Sequence, residues 1–307
     1  MKDAVLVLGA GGFVGSHLVR ALAARGQRVI AASRSRFDAA ASVDIHVGEF
    51  REPSDYLPLL QRSGAVIHLA SASTPGSSAA QPLRELDENL RPILALLQAM
   101  QEFPAIPLIY VSSGGTLYGG RNGHAADESA PVSPRSYHGA GKIAAEHFIA
   151  AWCSQFDATA TILRPSNLYG PGQPERADFG IVPAAMGKLL SGETLHIWGD
   201  GSAERDYLYL DDFVRLCLAV LDGERRPGAQ LLNACSGTSI SLNALLHEIE
   251  SVAGKTLART YDPSRAVDVP KVAMSAALAH RLYGWAPGIP LQEGLERTWQ
   301  WFSTSPH

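Results

Sequence analysis

The stretch AVLVLGAGGFVGSHLVRALAARG, residues 4–26, decides the fold. AVLVLG (4–9) is a continuous apolar run closed by glycine, the pattern of a strand buried on both faces. FVGSHLVRALAARG (13–26) has apolar residues at helical spacing and ends on glycine. Between them, Gly9, Gly12 and Gly15 fit G-x-x-G-x-x-G; the G-x-G-x-x-G form fails because its third glycine falls on Val14. Strand, glycine turn and helix in this order let the main chain approach a diphosphate seated on the N–H groups of the helix N-terminus. Gly9, Gly12, Phe13, Val14 and Gly15 are therefore expected to hold a dinucleotide, against the simpler possibility of a tight turn without a ligand.

Working outward, RVIAAS (28–33), AVIHLA (65–70), LIYVSS (108–113) and ATILRP (160–165) are further short apolar runs, with helical segments at 54–62, 85–102 and 136–155. Strands alternating with helices predict an α/β fold, a Rossmann-type doubly wound parallel sheet with both faces covered. After Pro165 the character changes. NLYGPGQPERADFG (167–180) is loop-rich, and helices near 181–191, 211–221, 241–253 and 290–302 mix with the short strands LHIWG and QLLNA. The expected organisation is a dinucleotide-binding domain over 1–170 and a smaller mixed α/β C-terminal substrate domain over 171–307.

The composition excludes several classes. The chain has 307 residues, 46% hydrophobic and 18% charged, with a net charge of −4 and no local cluster of lysine and arginine, so no footprint for nucleic acid exists. No stretch is long enough to span a bilayer. Three scattered cysteines, Cys153, Cys217 and Cys235, suit neither a disulfide framework nor a zinc site. The apolar run at the N-terminus is too short for a signal peptide. These features predict a cytoplasmic enzyme in a reducing compartment.

A dinucleotide fold needs a group at the end of the second strand to read the adenosine ribose. An acid there hydrogen-bonds the 2′-hydroxyl and favours NAD. Here the residues are Ser33-Arg34-Ser35-Arg36. A guanidinium pairs with a 2′-phosphate, so the cofactor is NADP or NAD with NADP favoured by Arg34. The alternative is that Arg34 and Arg36 are solvated loop charges.

GAGGFVG, AVIHLAS, ENLRPILALLQA, LIYVSSGGTLYGG, the Lys142 helix, LRPSNLYGPGQ, GDGSAERDYLYLDD and LYGWAP run through nearly the whole chain in an order that resembles the extended short-chain dehydrogenase/reductases. More narrowly they resemble the sugar-nucleotide epimerase/dehydratase group and its UDP-galactose 4-epimerase-like members. The resemblance implies that Glu49 and Phe50 lie beside the adenine. It implies that Leu69, Ala70 and Ser71 line the pyrophosphate and ribose, and that Asn89 lies beneath the cofactor. Asn167 would face the sugar nucleotide, Arg205 and Arg265 would grip its diphosphate, and Asp268 would contact a ribose. A diphosphate requires a rigid charged fork, which an arginine on a loop supplies; a surface ion pair is the alternative for either arginine.

The family uses a Ser/Thr, a Tyr and a Lys. In SPRSYHGAGKIAAEHF (133–148) only Lys142 matches. Its helical neighbour four residues back is His138, and Gly114 stands where the family has its hydroxyl. Three readings follow. His138 is the acid/base, although Lys142 and an oxidised nicotinamide both depress an imidazole whose ordinary value is about 6.5. Or Tyr137 serves, although it stands about 140° around the helix from Lys142. Or the site is impaired and His138 fills space. For the missing hydroxyl, Thr116 shares the side of Gly114 if the segment is extended, and Ser113 is adjacent.

The functional expectation is a nucleotide-hexose 4-epimerase that transiently moves a hydride at C4 of the sugar. An NADPH-dependent 4-keto sugar-nucleotide reductase and a catalytically impaired nucleotide-binding homologue are the alternatives. A dehydratase fits less well, because Gly115 and Thr116 stand where those relatives carry an Asp-Glu pair. The resemblance also implies a homodimer paired through helices 85–102 and 136–155.

Overall fold

The computed structural model describes residues 3–74, 76–118, 125–175, 179–264 and 269–304. In chain order, β1 (Ala4–Leu8), α1 (Phe13–Ala24), β2 (Val29–Ser33), β3 (Val43–Val47), α2 (Pro53–Leu60) and β4 (Ser63–His68) come first. A helical run then changes type twice: α3 (Pro82–Glu85), a π-helical turn (Leu86–Leu90) and α4 (Arg91–Met100). β5 (Leu108–Val111), α5 (Tyr137–Phe156), β6 (Thr159–Pro165), β7 (Asn167–Tyr169), α6 (Ile181–Ser191), β8 (Leu195–Trp198), β9 (Glu204–Tyr209) and α7 (Leu210–Asp222) follow. The chain continues with β10 (Gly228–Ala234), β11 (Ser239–Ser241), α8 (Leu242–Ala253), β12 (Arg259–Asp262), α9 (Ala277–Tyr283) and α10 (Leu291–Thr304).

These elements form two compact units. The first comprises residues 1–113, 136–164 and 214–232; the second comprises 114–135, 165–213 and 233–307. The single division near residue 170 is therefore replaced by an interleaved one. The physical reason is sheet completion. QLLNA, expected in the C-terminal domain, lies in β10, which pairs beside β6 as the seventh strand of the main sheet. A five-residue apolar run does not declare which sheet it will join.

The first unit is built on that sheet, in the order β10-β6-β5-β4-β1-β2-β3. The pairs from β3 across to β6 are all parallel. Strand order reverses between β1 and β4, the switch point beside which doubly wound sheets hold ligands at their carboxyl ends. The register sets those ends level, because Leu8 pairs with Ala32 on one side and His68 on the other. All five residues of β1 are buried, as a central parallel strand demands. Leu18, Val19 and Leu22 give α1 its buried stripe, and Ile93, Leu96 and Met100 do the same for α4.

The π-helical turn has a local cause. Pro92, near the start of α4, lacks the N–H that an α-helix would donate to Glu88, and its ring crowds that carbonyl. The widened turn carries Asn89.

The second unit has a three-stranded sheet, β11-β9-β7, and a two-stranded one, β12-β8. Its core packs Tyr169, Met186, Tyr209, Leu246 and Phe302. Among the described residues, no helix is long and apolar enough to cross a membrane.

Candidate functional site

In the first unit, the glycine loop is shaped by close approach. Gly9 has φ +85°, and a β-carbon on it would fall 2.7 Å from the Ala70 amide nitrogen. A β-carbon on Gly15 would fall 2.1 Å from the carbonyl oxygen of Gly9. Gly11, an ordinary position in the motif, is also crowded, but by side chains that can give way: its β-carbon would lie 2.6 Å from Ser33 Oγ. Gly12 serves as the N-cap of α1 and offers no side-chain cap. Phe13 and Val14 then open the helix, whose first N–H groups lack intrahelical acceptors. The loop thus forms a cradle that any side chain at 9, 11 or 15 would fill. It fits the diphosphate of a dinucleotide in shape and in dipole sign.

The neighbouring strand ends converge on this loop. Leu69 N donates to Leu8 O at 2.8 Å, and Gly9 N to Ala32 O at 3.0 Å. Leu69 and Ala70 are half-buried and Ser71 is exposed. Gly48 N donates to Ser33 O at 3.0 Å, bringing Glu49 and Phe50 to the same rim. Phe50 is pinned: the Tyr56 hydroxyl lies 2.7 Å from its carbonyl oxygen and the two rings are 5.9 Å apart. Glu49 pairs with Arg51 at 3.0 Å. Arg34 and Arg36 are exposed and pair with no acid among the described residues.

The start of α5 is defined by Ser136, whose hydroxyl accepts from Gly139 N at 3.1 Å, and by Ser78, whose hydroxyl accepts from His138 N at 3.2 Å. Tyr137 is therefore the first helical residue and is 44% exposed, whereas His138 and Lys142 are 7% and 6% exposed on the buried face. Lys142 Nζ donates to Val111 O at 2.9 Å and lies 5.0 Å from the Tyr110 ring centroid. Burial pulls the Lys142 ammonium down to about 8, with Glu85 and Glu146 pulling the other way. Burial, and then the Lys142 charge, push the His138 imidazole down to about 3.

α5 is anchored further along by a buried pair. Arg164 Nε and Nη2 donate to the two oxygens of Glu146 at 3.0 and 2.5 Å, and Ser112 donates to Oε1 at 2.5 Å. Around His138 the sequence reading missed two groups. Ser73 Oγ lies 3.0 Å from His138 Nδ1 and 2.5 Å from Glu85 Oε2. Asn89 Nδ2 donates to Ser73 Oγ at 2.9 Å, while its Oδ1 accepts from Ala72 N at 2.7 Å. Gly141 on α5 makes room for this group, because a β-carbon there would lie 2.7 Å from Glu85 Oε1.

Ser113 ends the first unit, half-buried in the loop after β5. In the second unit, residues 115–117 form a turn in which Leu117 N donates to Gly114 O at 3.5 Å. The extended segment on which Thr116 was matched to Gly114 is thus absent. Thr116 is half-buried in that turn, and the turn lies against Asn167: a β-carbon on Gly115 would sit 3.6 Å from Asn167 Oδ1. Asn167 Nδ2 donates to Asp206 O at 2.9 Å, so its carbonyl oxygen faces the Gly115 turn. Arg205 is half-buried on β9, with Nη1 on Glu204 O at 2.8 Å. Asp206, behind it, accepts from Ser236 N at 2.9 Å, Ser236 Oγ at 2.9 Å and Gly237 N at 2.7 Å, which fixes the strand that presents Arg205. Arg265 and Asp268 lie outside the described residues.

Comparison with known proteins places the chain. Residues 5–235 match the NAD dependent epimerase/dehydratase family. A dTDP-4-dehydro-6-deoxy-D-allose reductase from a Streptomyces species is 30% identical, covering 97% of this chain and 95% of that protein. Among solved structures, a UDP-glucose 4-epimerase from Thermotoga maritima with UDP-glucose is 28% identical with a TM-score of 0.91, covering 98% of both chains. A Thermus thermophilus UDP-glucose 4-epimerase in complex with NAD is 27% identical with a TM-score of 0.92, covering 99% of this chain and 100% of that one.

Proposed function

Because this chain belongs to the NAD-dependent epimerase/dehydratase family, as an NAD-dependent epimerase/oxidoreductase of the extended short-chain dehydrogenase/reductase type, we propose that it inverts the C4 hydroxyl of a UDP-hexose by transient oxidation. The observation that carries this reading is the buried face of α5, where His138 and Lys142 stand together at the carboxyl edge of the sheet that bears the glycine cradle. A nicotinamide dinucleotide bound in that cradle supplies a reversible hydride acceptor. Gly9, Gly11, Gly12 and Gly15 admit its diphosphate, Phe13 and Val14 offer N–H groups, and Ser33 and Arg34 read the adenosine ribose. Glu49, Phe50, Leu69, Ala70, Ser71 and Asn89 complete its walls.

His138 takes the proton of the C4 hydroxyl as the alcohol is oxidised and returns it to the C4 oxygen once the 4-keto sugar presents its opposite face for reduction. It stays neutral at working pH, since burial and Lys142 disfavour imidazolium. Lys142 positions the ribose and holds positive charge beside the developing alkoxide. Thr116, with Ser113 as its alternative, supplies the hydroxyl that Gly114 lacks. Asn167, Arg205, Arg265 and Asp268 hold the nucleotide sugar. Tyr137 takes no part, since it lies exposed on the other side of α5.

A second reading, an NADPH-dependent reductase of 4-keto nucleotide sugars, is favoured by Arg34, which pairs with no acid among the described residues, and by the resemblance to the Streptomyces reductase. The enzyme is read as cytoplasmic and homodimeric. Exposed apolar residues on the first unit's helices support the dimer: Leu83 is 71% exposed and Phe148 49%.

The test is turnover of purified protein on UDP-, GDP- and dTDP-hexoses without added reductant, beside NADPH oxidation with a 4-keto nucleotide sugar. Epimerisation of a UDP-hexose without net cofactor oxidation supports the first reading. NADPH consumption alone supports the second. Binding without turnover on any of them makes the chain an impaired homologue.

A further inference from the structure

His138 as a lone base has a problem that the structure itself poses. Taking a proton on Nε2 while Nδ1 keeps its own creates an imidazolium, buried beside the Lys142 ammonium. The groups on the far side of the ring offer a way out.

Among the described residues, Ser73 Oγ has three polar neighbours: Glu85 Oε2, Asn89 Nδ2 and His138 Nδ1. A hydroxyl has one proton to give and two lone pairs to receive. Asn89 is oriented by Ala72 N, which donates to its Oδ1, so its amide nitrogen is the atom that donates to Ser73. That uses one lone pair. With Glu85 as a carboxylate, which only accepts, the Ser73 proton goes to Glu85. The remaining lone pair then receives Nδ1–H of His138. That arrangement assigns His138 the Nδ1–H tautomer, with Nε2 bare and able to act as a base.

Resting on the reading of His138 as acid/base, we propose that Ser73 and Glu85 form a positioning and proton-accepting relay behind it, admitted by the missing side chain of Gly141. When Nε2 takes the proton of the substrate hydroxyl, the substrate O–H bond breaks and Nε2–H forms. Nδ1–H breaks as a proton passes to Ser73 Oγ, and the Ser73 proton passes to Glu85 Oε2. The imidazole ends neutral, now Nε2–H, and the carboxylate ends as the acid. Return of the proton runs the same shifts backwards, and no electrons change hands in the relay. Two further observations suit this role. Glu85 is 4% exposed yet forms no ion pair among the described residues, and its Oε1 has no hydrogen-bond partner there. It contrasts with Glu146, which an arginine holds on both oxygens. Gly141 leaves the gap into which the Glu85 carboxylate fits on the same helix that carries His138.

The test reads the tautomer directly, on the full chain with NAD added, by nitrogen NMR of ¹⁵N-labelled imidazoles. The His138 signals are assigned by their loss in His138→Gln. The expected wild-type form is Nδ1–H with bare Nε2, and Ser73→Ala and Glu85→Gln are expected to move it towards the other tautomer. A wild type in the Nε2–H form, or signals unmoved in Ser73→Ala, overturns the relay. In turnover, Ser73→Ala, Glu85→Gln and Gly141→Ala are each expected to lower kcat by about tenfold or more with KM and NAD affinity little changed. Ser73→Thr should restore most of the loss, and Ser73→Ala combined with Glu85→Gln should be little worse than either alone. Full turnover in all three single variants overturns the relay while leaving His138 as the base. Full turnover in His138→Ala overturns both. Absence of wild-type turnover on every nucleotide sugar sinks the proposed function alone, and the NMR arm then decides the relay.

Discussion

Gly15 stands so close to Gly9 that a β-carbon on it would lie 2.1 Å from the Gly9 carbonyl oxygen. Main chain cannot yield as a flexible side chain can. Gly15→Ala should therefore displace the loop, weaken dinucleotide binding by about tenfold or more and destabilise the fold by about 2 kcal/mol. Gly26→Ala is the control. It has φ +71° but nothing within 4 Å, so it should cost about 1 kcal/mol and leave binding intact. Calorimetric titration with NAD and urea unfolding check both. Unaltered binding in Gly15→Ala would mean that the cradle is not where the cofactor sits.

Acid stability should carry the signature of two neutral histidines. His138 and His68 both have folded values pushed down to about 3 from an ordinary 6.5, by burial first and Lys142 second. Below about 6.5 the unfolded chain gains protons that the folded chain refuses, so stability falls as pH drops towards 3. His138→Gln removes one such group. Urea unfolding at pH 7 and pH 5 should show a smaller drop in the variant, by about 1–2 kcal/mol. An equal drop in both proteins would show that the folded state protonates His138 normally.

Lys142 gives the opposite limb. Its folded value is lowered to about 8 from 10.5 by burial, so the cost of the buried charge is fully present below 8 and is relieved as pH rises through 10.5. Stability should thus rise across that window. On the proposed mechanism turnover needs the charged ammonium, so it should decline on the basic side near pH 8. No acid limb should appear near the ordinary histidine value, in contrast to the expectation from a solvated imidazole. A pH–rate profile of kcat settles both limbs.

The buried pair of Glu146 and Arg164 should be costly to break from one side. Arg164→Met leaves a carboxylate without its cation and should destabilise the protein by about 3–5 kcal/mol. Adding Glu146→Leu should recover most of that, because the desolvation cost goes with the charge. Chemical denaturation of the single and double variants measures it, and a double variant as unstable as the single would show that the pair does more than neutralise itself.

Arg34 should tilt cofactor choice. The wild type is expected to bind NADPH more tightly than NADH, and Arg34→Ala to lose most of the difference. Calorimetry with both dinucleotides decides, and tighter NADH binding in the wild type would remove Arg34 from cofactor reading.

What the sequence made legible follows from how local each signal is. β1, the glycines and α1 were readable because a buried parallel strand, a tight turn and an apolar stripe each write their pattern within a few residues. β3 was missed. In VDIHV only Val43 is buried, and an edge strand with polar Asp44 and His46 looks like loop. Gly11 carries no local sign of its crowding, which comes from the side chains of Ser33 and Phe37, a strand away. QLLNA reads as a strand, but the sheet it joins is not encoded in the run itself, and the division between the units falls within it. Thr116 was judged on an extended backbone that is in fact a turn. Ser73 and Glu85 had no local mark at all. Their meaning depends on His138, which lies 65 residues beyond Ser73.

The interleaving of the two units sets a rule for anyone who would rebuild this protein. A fragment ending at residue 170 keeps six strands of the main sheet and loses the seventh, leaving the β6 edge open to pairing with another chain. It also keeps residues 114–135 without the unit to which they belong. The division crosses the chain five times, after residues 113, 135, 164, 213 and 232, so no single crossover separates the two units. A single crossover therefore exchanges parts of both units at once, whereas scattered substitutions leave each sheet whole.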